Sequence, residues 1–141
     1  MEGEWAKYHS DILGLIPKMG NYRPDVIAPV MIGGLVPCAI LAKALGIYDV
    51  RPIDIGRKDD ERWLSYDVQG GIEGKRILIL EDDLKTGKGP LLVKKIFEER
   101  GAHVKIGAIY VRKDMIEKVD YYSSIDTPKY PYKKLNMGDK E

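Results

Sequence analysis

The apolar run RILIL in residues 76–80 is the feature that most restricts how this chain can fold. After Arg76 it contains only Ile and Leu, and a continuous run of this length is typical of a strand buried on both faces of a parallel sheet. Parallel strands cannot be joined by tight turns and need crossover connections, which are usually helices. Helical segments are therefore expected on both sides of this run.

Strand-like and helical patterns alternate along the remaining chain. Apolar residues recur at helical spacing, and short apolar runs end at glycines, as in a parallel sheet with crossover helices. This alternation predicts an α/β fold with a mostly parallel sheet flanked by helices. A polar excursion over residues 57–71 interrupts it. The predicted helices cover residues 4–20, 36–46 and 89–102, and the predicted strands lie within residues 25–34, 49–56, 76–80 and 103–111.

Length, charge and cysteine content limit the possible domain number, location and partners of the protein. A chain of 141 residues predicts one domain over residues 1–141. The formal net charge of +1 indicates no global attraction to nucleic acid or membranes. Cys38 is the single cysteine, and no apolar stretch reaches the roughly 20 residues of a membrane span. We expect a cytoplasmic protein without a membrane or nucleic-acid partner, with Cys38 and His103 packed on apolar faces.

The acids and the glycine-lysine loop after residue 80 indicate a ligand site. We expect the chain to leave the strand after Leu80. In parallel sheets, ligands bind beyond the carboxyl ends of the strands. The loop KTGKG in residues 85–89 precedes a helix, and its backbone N–H groups with the helix N-terminus suit a phosphate group. The carboxylates of Glu81 and Asp82 suit hydroxyl donors instead. A ribose 5-phosphate offers both groups.

Three other interpretations compete for the same residues. A P-loop needs glycine five residues before its Gly-Lys pair and Ser or Thr after it, but Asp82 and Gly89 stand there. A response-regulator receiver also has a strand followed by paired acids, but receivers begin with that strand, and residues 107–115 lack the phosphoacceptor pattern. A structural domain with a solvated strand end is the third interpretation.

Residues 79–89, ILEDDLKTGKG, resemble the phosphoribosyl-pyrophosphate (PRPP) loop of type I phosphoribosyltransferases. In the purine-salvage members that loop has two hydrophobic residues, Glu/Asp-Asp, two variable residues and Asp-Thr-Gly-Lys-Thr. Residues 24–46 are similar to the family's pyrophosphate loop, written Ser-Arg-Gly-Gly-Leu-Ile-Pro, with matches at Gly33, Gly34, Leu35 and Pro37. Residues 119–132 resemble the tail of the small xanthine-guanine-type enzymes.

The resemblance implies a PRPP-dependent pentosyltransferase that makes a nucleotide and releases pyrophosphate in nucleotide salvage. The implied acceptor is a purine, namely hypoxanthine, guanine or xanthine. The implied ligands are PRPP with Mg²⁺ and a nucleobase, or a nucleoside monophosphate. The family's members are usually homodimers, so a homodimer is expected here too.

The resemblance also implies roles at the PRPP site. Glu81 and Asp82 would bind the ribose hydroxyls and would contact Mg²⁺ only through PRPP, with Asp83 as a further aid to the metal. Asp82 and Lys85 would stand at the catalytic positions, and the peptide bond Met31–Ile32 would be cis. The 5-phosphate would be bound by Lys85, Thr86, Gly87, Lys88 and Gly89, and pyrophosphate by Met31, Ile32, Gly33 and Gly34.

Two further groups of residues would complete the site. Cations in the polar excursion would form a mobile lid over pyrophosphate. Near the C-terminus, cations would meet the exocyclic oxygen of a purine, and a tyrosine would stack on its ring. The lid residues are Arg57, Lys58 and Arg62, and the base-binding residues are Arg112, Lys113, Tyr130 and Tyr132.

Three departures from the family pattern leave the activity open. Ile32 replaces an Arg or Lys of the pyrophosphate loop, and Gly89 replaces the closing Thr or Ser. Lys85 replaces an Asp that lies beside N7 of the base in 6-oxopurine enzymes, and an ammonium with a pKa near 10.4 is no base at neutral pH. An adenine or pyrimidine transferase therefore remains an alternative, as does a PRPP- or nucleotide-binding regulator without transfer.

Overall fold

The central sheet has four parallel strands in the order β1-β4-β5-β6. The structure is a computed structural model that describes residues 2–125. The predicted α/β class with a mostly parallel sheet is confirmed. The strands of the sheet are β1 (Val26–Pro29), β4 (Arg76–Leu84), β5 (His103–Val111) and β6 (Tyr121–Ser124), and a separate antiparallel hairpin consists of β2 (Asp54–Lys58) and β3 (Glu61–Tyr66).

Residues 50–53 extend the sheet beyond β1. The N–H groups of Arg51 and Ile53 donate to the carbonyls of Ile27 and Pro29, each at 3.0 Å. The strand predicted over residues 49–56 is therefore divided. Its first part lies along β1, and from Asp54 the chain enters the hairpin, where a register irregularity follows Asp54.

Helices cover both faces of the sheet. The helices α1 (Glu2–Leu13), α2 (Leu15–Met19) and α3 (Leu35–Leu45) pack on one face, and α4 (Lys88–Glu99) packs on the other. The prediction of a single helix over residues 4–20 is wrong, because the helix is interrupted at Gly14. A Cβ at Gly14 would lie 2.8 Å from Oγ of Ser123, so the backbone comes close to β6 there.

The apolar run over residues 76–80 is buried on both faces, as predicted. Leu78 and Leu80 join the apolar cluster under α1, α2 and α3, which also contains Tyr8 and Leu41. Ile77 and Ile79 join the cluster under α4. Strand alternation therefore divides the run between two cores, which explains why every position after Arg76 is apolar.

Cys38 and His103 differ in their environments. Cys38 lies in α3 and is buried, as expected. The prediction that His103 packs on an apolar face is wrong, because His103 and Lys105 are exposed while Val104 and Ile106 point inward. Alternation at the start of β5 places His103 on the solvent side.

The polar excursion over residues 57–71 forms much of the β2–β3 hairpin and the segment that follows it. Ile55 and Leu64 pack against the α4-side cluster, in which Val68 and Ile72 are buried. The excursion thus has more apolar anchors than an exposed loop would. Within residues 2–125, no helix combines the length and apolar character needed to cross a membrane.

Candidate functional site

A cavity of about 300 Å³ lies between the hairpin, the end of β4 and the loop in residues 85–89. Two arginines of the hairpin, two acids of β4 and the loop form its walls. This is the carboxyl end of the sheet, where the sequence predicted a ligand site. The wall residues that carry charge or a hydroxyl are Arg57, Arg62, Glu81, Asp83, Lys85 and Thr86.

The three acids lie inside β4 and not in a loop after it. β1 ends with Pro29 opposite Leu80, whereas β4 continues along β5 until Leu84 pairs with Val111. The prediction that the chain leaves the strand after Leu80 is therefore wrong, because β5 keeps pairing with β4. Pairing of β4 with β1 ends at Leu80, and beyond it the turn after β1 lies beside β4.

The acids of β4 have different neighbours. Glu81 and Asp83 line the cavity, together with Leu84. Asp82 lies against the turn after β1. A Cβ at Gly33 would lie 2.6 Å from Oδ2 of Asp82, which shows how closely this carboxylate approaches the glycine.

Glu81 has a strongly perturbed acidity. Burial and, to a smaller extent, the charges of Asp82 and Asp83 together raise the pKa of its carboxyl to about 8. Glu81 therefore holds a proton at neutral pH in the ligand-free site. A cation entering the cavity would favour the ionised form and release that proton.

The loop in residues 85–89 connects β4 to α4 through a left-handed glycine. Gly87 has φ 76° and immediately precedes α4. The backbone N–H of Lys88 donates to Oγ1 of Thr86 at 3.3 Å. The exposed side chains of Lys85 and Thr86 line the cavity, so the structure brings this predicted phosphate loop together with Glu81.

Gly89 lies directly against the hairpin. A Cβ at this position would be 3.0 Å from Cγ2 and 3.1 Å from Cδ1 of Ile55. Ile55 thus fills the space that a larger residue at position 89 would need. This contact gives a packing reason for glycine where the resembling loops carry Thr or Ser.

The turn after β1 contains the predicted cis peptide bond, between Met31 and Ile32. The side chain of Ile32 is 77% exposed. Gly34 is tightly enclosed, since a Cβ would lie 2.6 Å from the carbonyl oxygen of Leu80. Glycine is therefore required at this position by the close approach of β4.

The hairpin presents two arginines to the cavity. Arg57 and Arg62 are direct cross-strand partners and share the inner face with Ile55 and Leu64. Like charges in such a pair repel each other, so an anion between them would be stabilising. Lys58 follows on the other face of β2 and does not line the cavity within the described chain.

A contact that the sequence did not indicate joins the hairpin to the loop. Nζ of Lys88 lies 3.1 Å from Oδ1 of Asp60 in the hairpin turn. Asp59 has φ 54° in the same turn. The pattern Ile-x-Arg before the two aspartates and Arg-x-Leu after them could have predicted the hairpin, but not its ion pair with α4.

The predicted base-binding residues are only partly described. Arg112 and Lys113 are exposed and follow β5, beside the end of β4. Arg112 forms an ion pair with Asp114 at 3.5 Å. Among residues 2–125, neither cation lines the cavity. Tyr130 and Tyr132 lie outside the described residues.

No protein-family model matches the sequence. Many solved structures are similar to it, and three of them are described below. A purine phosphoribosyltransferase from Pyrococcus horikoshii Ot3 is 28% identical, with a TM-score of 0.77 over 85% of this chain and 83% of that chain. A xanthine-guanine-hypoxanthine phosphoribosyltransferase from Helicobacter pylori is 17% identical, with a TM-score of 0.73 over 89% of this chain and 86% of that chain.

The third is a hypoxanthine phosphoribosyltransferase from Trypanosoma cruzi complexed with the product IMP. It is 16% identical, with a TM-score of 0.72 over 84% of this chain and 73% of that chain. The last two likenesses concern the fold, whereas the first adds sequence similarity. Together with the loop sequence and the sheet, they show that the chain has the fold of the type I phosphoribosyltransferases, which are glycosyl-transferring enzymes, and resembles the purine enzymes among them.

Proposed function

We propose that the protein transfers ribose 5-phosphate from PRPP to a purine base and releases pyrophosphate, in nucleotide salvage. One observation carries the proposal, namely that a single cavity joins half-buried acids of β4 to the glycine-containing loop before α4. Acids suit the hydroxyls of ribose, and the loop suits its phosphate. The cavity volume of about 300 Å³ is at the lower end of ligand pockets.

The proposed reaction is a displacement at C1 of the ribose. The bond from C1 to the pyrophosphate oxygen breaks, pyrophosphate leaves with the electron pair, and a ring nitrogen of the base bonds to C1 and loses its proton to solvent water. The chain's own contribution is to position the ligands and to stabilise charge. Arg57 and Arg62 would face the charge that develops on pyrophosphate, and residues 85–89 would hold the 5-phosphate.

Magnesium would enter with PRPP and neutralise pyrophosphate charge. Among residues 2–125, no group of three or more His, Cys, Asp or Glu side chains is arranged to hold a metal by itself. This suits Mg²⁺, which commonly takes one or two carboxylates plus substrate phosphates. Glu81 and Asp82 are the proposed carboxylates, acting through PRPP, and Asp83 adds a carboxylate on the cavity side.

The hairpin is the proposed lid. Its arginines line the cavity, and Asp60 in its turn contacts Lys88 at the start of α4. Opening would admit PRPP, and closure would exclude water from the reacting centre. Lys58, on the outer face, would reach the ligand only if the hairpin moved.

Base choice is proposed from the family resemblance, and Lys85 is the residue that bears on it. Its side chain lines the cavity. An ammonium donates hydrogen bonds but accepts none, so it suits an oxo group or an unprotonated ring nitrogen of the base. Hypoxanthine, guanine and xanthine offer such acceptors. Arg112, Lys113, Tyr130 and Tyr132 are the proposed further contacts to the base.

A base panel tests the proposal. Incubation with PRPP, Mg²⁺ and each of hypoxanthine, guanine, xanthine, adenine, orotate and uracil should yield nucleotide and pyrophosphate with at least one 6-oxopurine. Nucleotide from adenine or a pyrimidine alone would support the alternative transferase. Saturable PRPP binding without nucleotide from any base would contradict transfer.

A regulator that binds PRPP or a nucleotide without transfer is the second candidate. The observation that favours it is Lys85 in the cavity wall. An acid at that position could accept the proton of the base, whereas an ammonium group cannot. We also propose that the chain is one domain and works as a cytoplasmic homodimer, which the family resemblance supports. Light scattering of the purified protein tests the dimer.

A further inference from the structure

The hairpin is attached to the rest of the chain at both of its ends, and the two attachments differ in strength. If the hairpin is the lid of a pyrophosphate site, as proposed above, we infer that Arg51 and Arg100 are positioning residues for that lid. They fix the segment after β3, residues 67–72, which is here named the hairpin base. The base then holds Arg57 and Arg62 over the cavity, while the turn at the other end can open.

Arg100 fastens the hairpin base to the end of α4. Its Nη1 and Nη2 atoms donate to the two carboxylate oxygens of Asp67 at 3.0 and 2.8 Å. Such a bidentate pair is stronger and more directional than a single contact. The guanidinium also lies over the ring of the buried Phe97, 5.8 Å from its centroid, so the arginine itself is held in place. Arg100 therefore sets the direction in which the chain leaves β3.

Arg51 fastens the same segment to the edge of the sheet. Its Nη1 atom donates to the carbonyl oxygens of Gln69 and Gly71, each at 2.9 Å. Its Nε and Nη2 atoms donate to the carboxylate of Asp49 at 2.9 and 3.0 Å, which fixes the guanidinium. The side chain of Arg51 is only 17% exposed. Arg51 thus joins the hairpin base to residues 50–53, which lie along β1.

The base is also secured by apolar packing, whereas the turn is not. Val68 and Ile72 are buried in the cluster under α4. At the other end of the hairpin, the turn contacts Lys88 through Asp60, whose side chain is 96% exposed. A single exposed ion pair opens more readily than a bidentate pair with buried neighbours. Movement of the hairpin should therefore begin at the turn and stop at the base.

The lengths of β3 and α4 let both attachments form together. From Asp60 to Asp67 an extended chain covers about 23 Å, and from Lys88 to Arg100 a helix covers about 18 Å. The strand and the helix pack side by side, with one ion pair at each end. The two arginines that line the cavity lie between these attachments. Without the base they would be held mainly by the weaker pair at the turn.

The first experiment uses two ligands that depend differently on the hairpin. Calorimetry measures binding of pyrophosphate with Mg²⁺ and of ribose 5-phosphate to the wild type, Arg100→Gln and Arg51→Gln. Each change should weaken pyrophosphate binding about fivefold to tenfold, because the hairpin arginines are no longer held over it. Binding of ribose 5-phosphate should fall by no more than about twofold, because residues 85–89 lie outside the hairpin. Asp67→Asn removes the pair with Arg100 from its other side and should repeat the effect, even if Arg51→Gln does not fold.

The second experiment tests whether Arg100 acts through the hairpin arginines. Arg100→Gln is combined with the double change Arg57→Gln and Arg62→Gln, and pyrophosphate binding is measured again. In this background Arg100→Gln should cost less than about twofold, because no hairpin charge is left to position. Arg76→Gln is the matched control. It breaks the ion pair with Asp25 at the opposite end of the sheet and should change neither affinity by more than about twofold.

The outcomes separate this inference from the proposed function. A wild type that does not bind both ligands overturns the proposed function and this inference with it. Wild-type binding of both, with unchanged pyrophosphate affinity in Arg100→Gln, Arg51→Gln and Asp67→Asn, overturns the inference alone. It is also overturned if both ligands lose affinity equally, or if the loss persists in the background without Arg57 and Arg62, since the base would then support the fold in general.

Discussion

Nζ of Lys88 lies 3.1 Å from Oδ1 of Asp60, so the first residue of α4 is joined to the turn of the hairpin. Both side chains are exposed, and exposed ion pairs contribute about 0 to 1 kcal/mol. The pair is therefore weak enough to open. It also engages a cation of the loop that the proposed 5-phosphate would use, so a ligand and the hairpin would compete for Lys88.

Removal of the Asp60 charge tests that competition. Asp60→Asn should raise the affinity for ribose 5-phosphate by up to about fivefold, since Lys88 no longer has a carboxylate partner. The hairpin of the ligand-free variant should also be cleaved faster by protease. Asp59→Asn is the matched control in the same turn. Equal effects of both changes would exclude a specific role for the pair.

The raised pKa of Glu81 makes stability depend on pH. Because this pKa is about 8 in the folded protein and 4.5 for an unperturbed glutamate, the folded state binds the extra proton between these values. Stability should therefore decrease as pH rises from 4.5 through 8, by at most about 1.4 kcal/mol per pH unit. Glu81→Gln should flatten this dependence and raise the unfolding midpoint at pH 8 more than at pH 5.

Urea unfolding at both pH values measures the effect. Glu99→Gln, at the exposed end of α4, is the matched control and should leave the pH dependence unchanged. If Glu81→Gln and the wild type lose stability in parallel between pH 5 and 8, Glu81 does not hold the proton.

Lys85 decides between an impaired and a lysine-dependent transferase. Lys85→Asp supplies a proton acceptor, and general acid-base assistance contributes about 10² to 10⁴ in rate. Turnover with hypoxanthine or guanine at saturating PRPP should therefore rise, even if PRPP binds less tightly. Lys85→Asn is the control that removes the charge without adding an acid. A fall in turnover with Lys85→Asp would indicate that the lysine itself moves the proton.

The contact between Gly89 and Ile55 predicts a compensating pair. Gly89→Ser places a Cβ about 3 Å from two methyl groups, and overpacking of this kind costs about 1 to 3 kcal/mol. In the Ile55→Ala background the same change should cost much less, because the methyl groups are absent. Urea unfolding of the four proteins measures the coupling, and additive costs would mean that Ile55 does not limit residue 89.

The hydrogen bond from Tyr110 to Asp11 links β5 to α1. Tyr110→Phe should lower the free energy of unfolding by about 1 to 2 kcal/mol, since Asp11 loses a donor in a partly buried site but keeps its ion pair with Lys7. Tyr48→Phe, whose ring is mostly exposed, is the control and should change stability little. Equal unfolding midpoints for the two variants would show that the hydrogen bond contributes no net stability.

Local pattern was sufficient for the main features of the fold and for part of the site. The apolar run over residues 76–80 predicted a doubly buried strand, because the side chains on both of its faces pack into apolar clusters. The glycine pair after β1 and the loop in residues 85–89 predicted where ligands could bind, because close backbone approach and a left-handed residue require glycine. Each of these constraints leaves a local mark in the sequence, either a glycine or an apolar run, even where the contact is with a distant segment.

The direction of each acid and the position of the hairpin were decided only by tertiary structure. Glu81, Asp82 and Asp83 are adjacent in the sequence, but Glu81 and Asp83 line the cavity whereas Asp82 lies against Gly33. Asp60 meets Lys88 across 28 residues, and Ile55 reaches Gly89 across 34. Such contacts follow from strand register and from which element packs on which. Register depends on the pairing of distant segments, so no local spacing of residues specifies it.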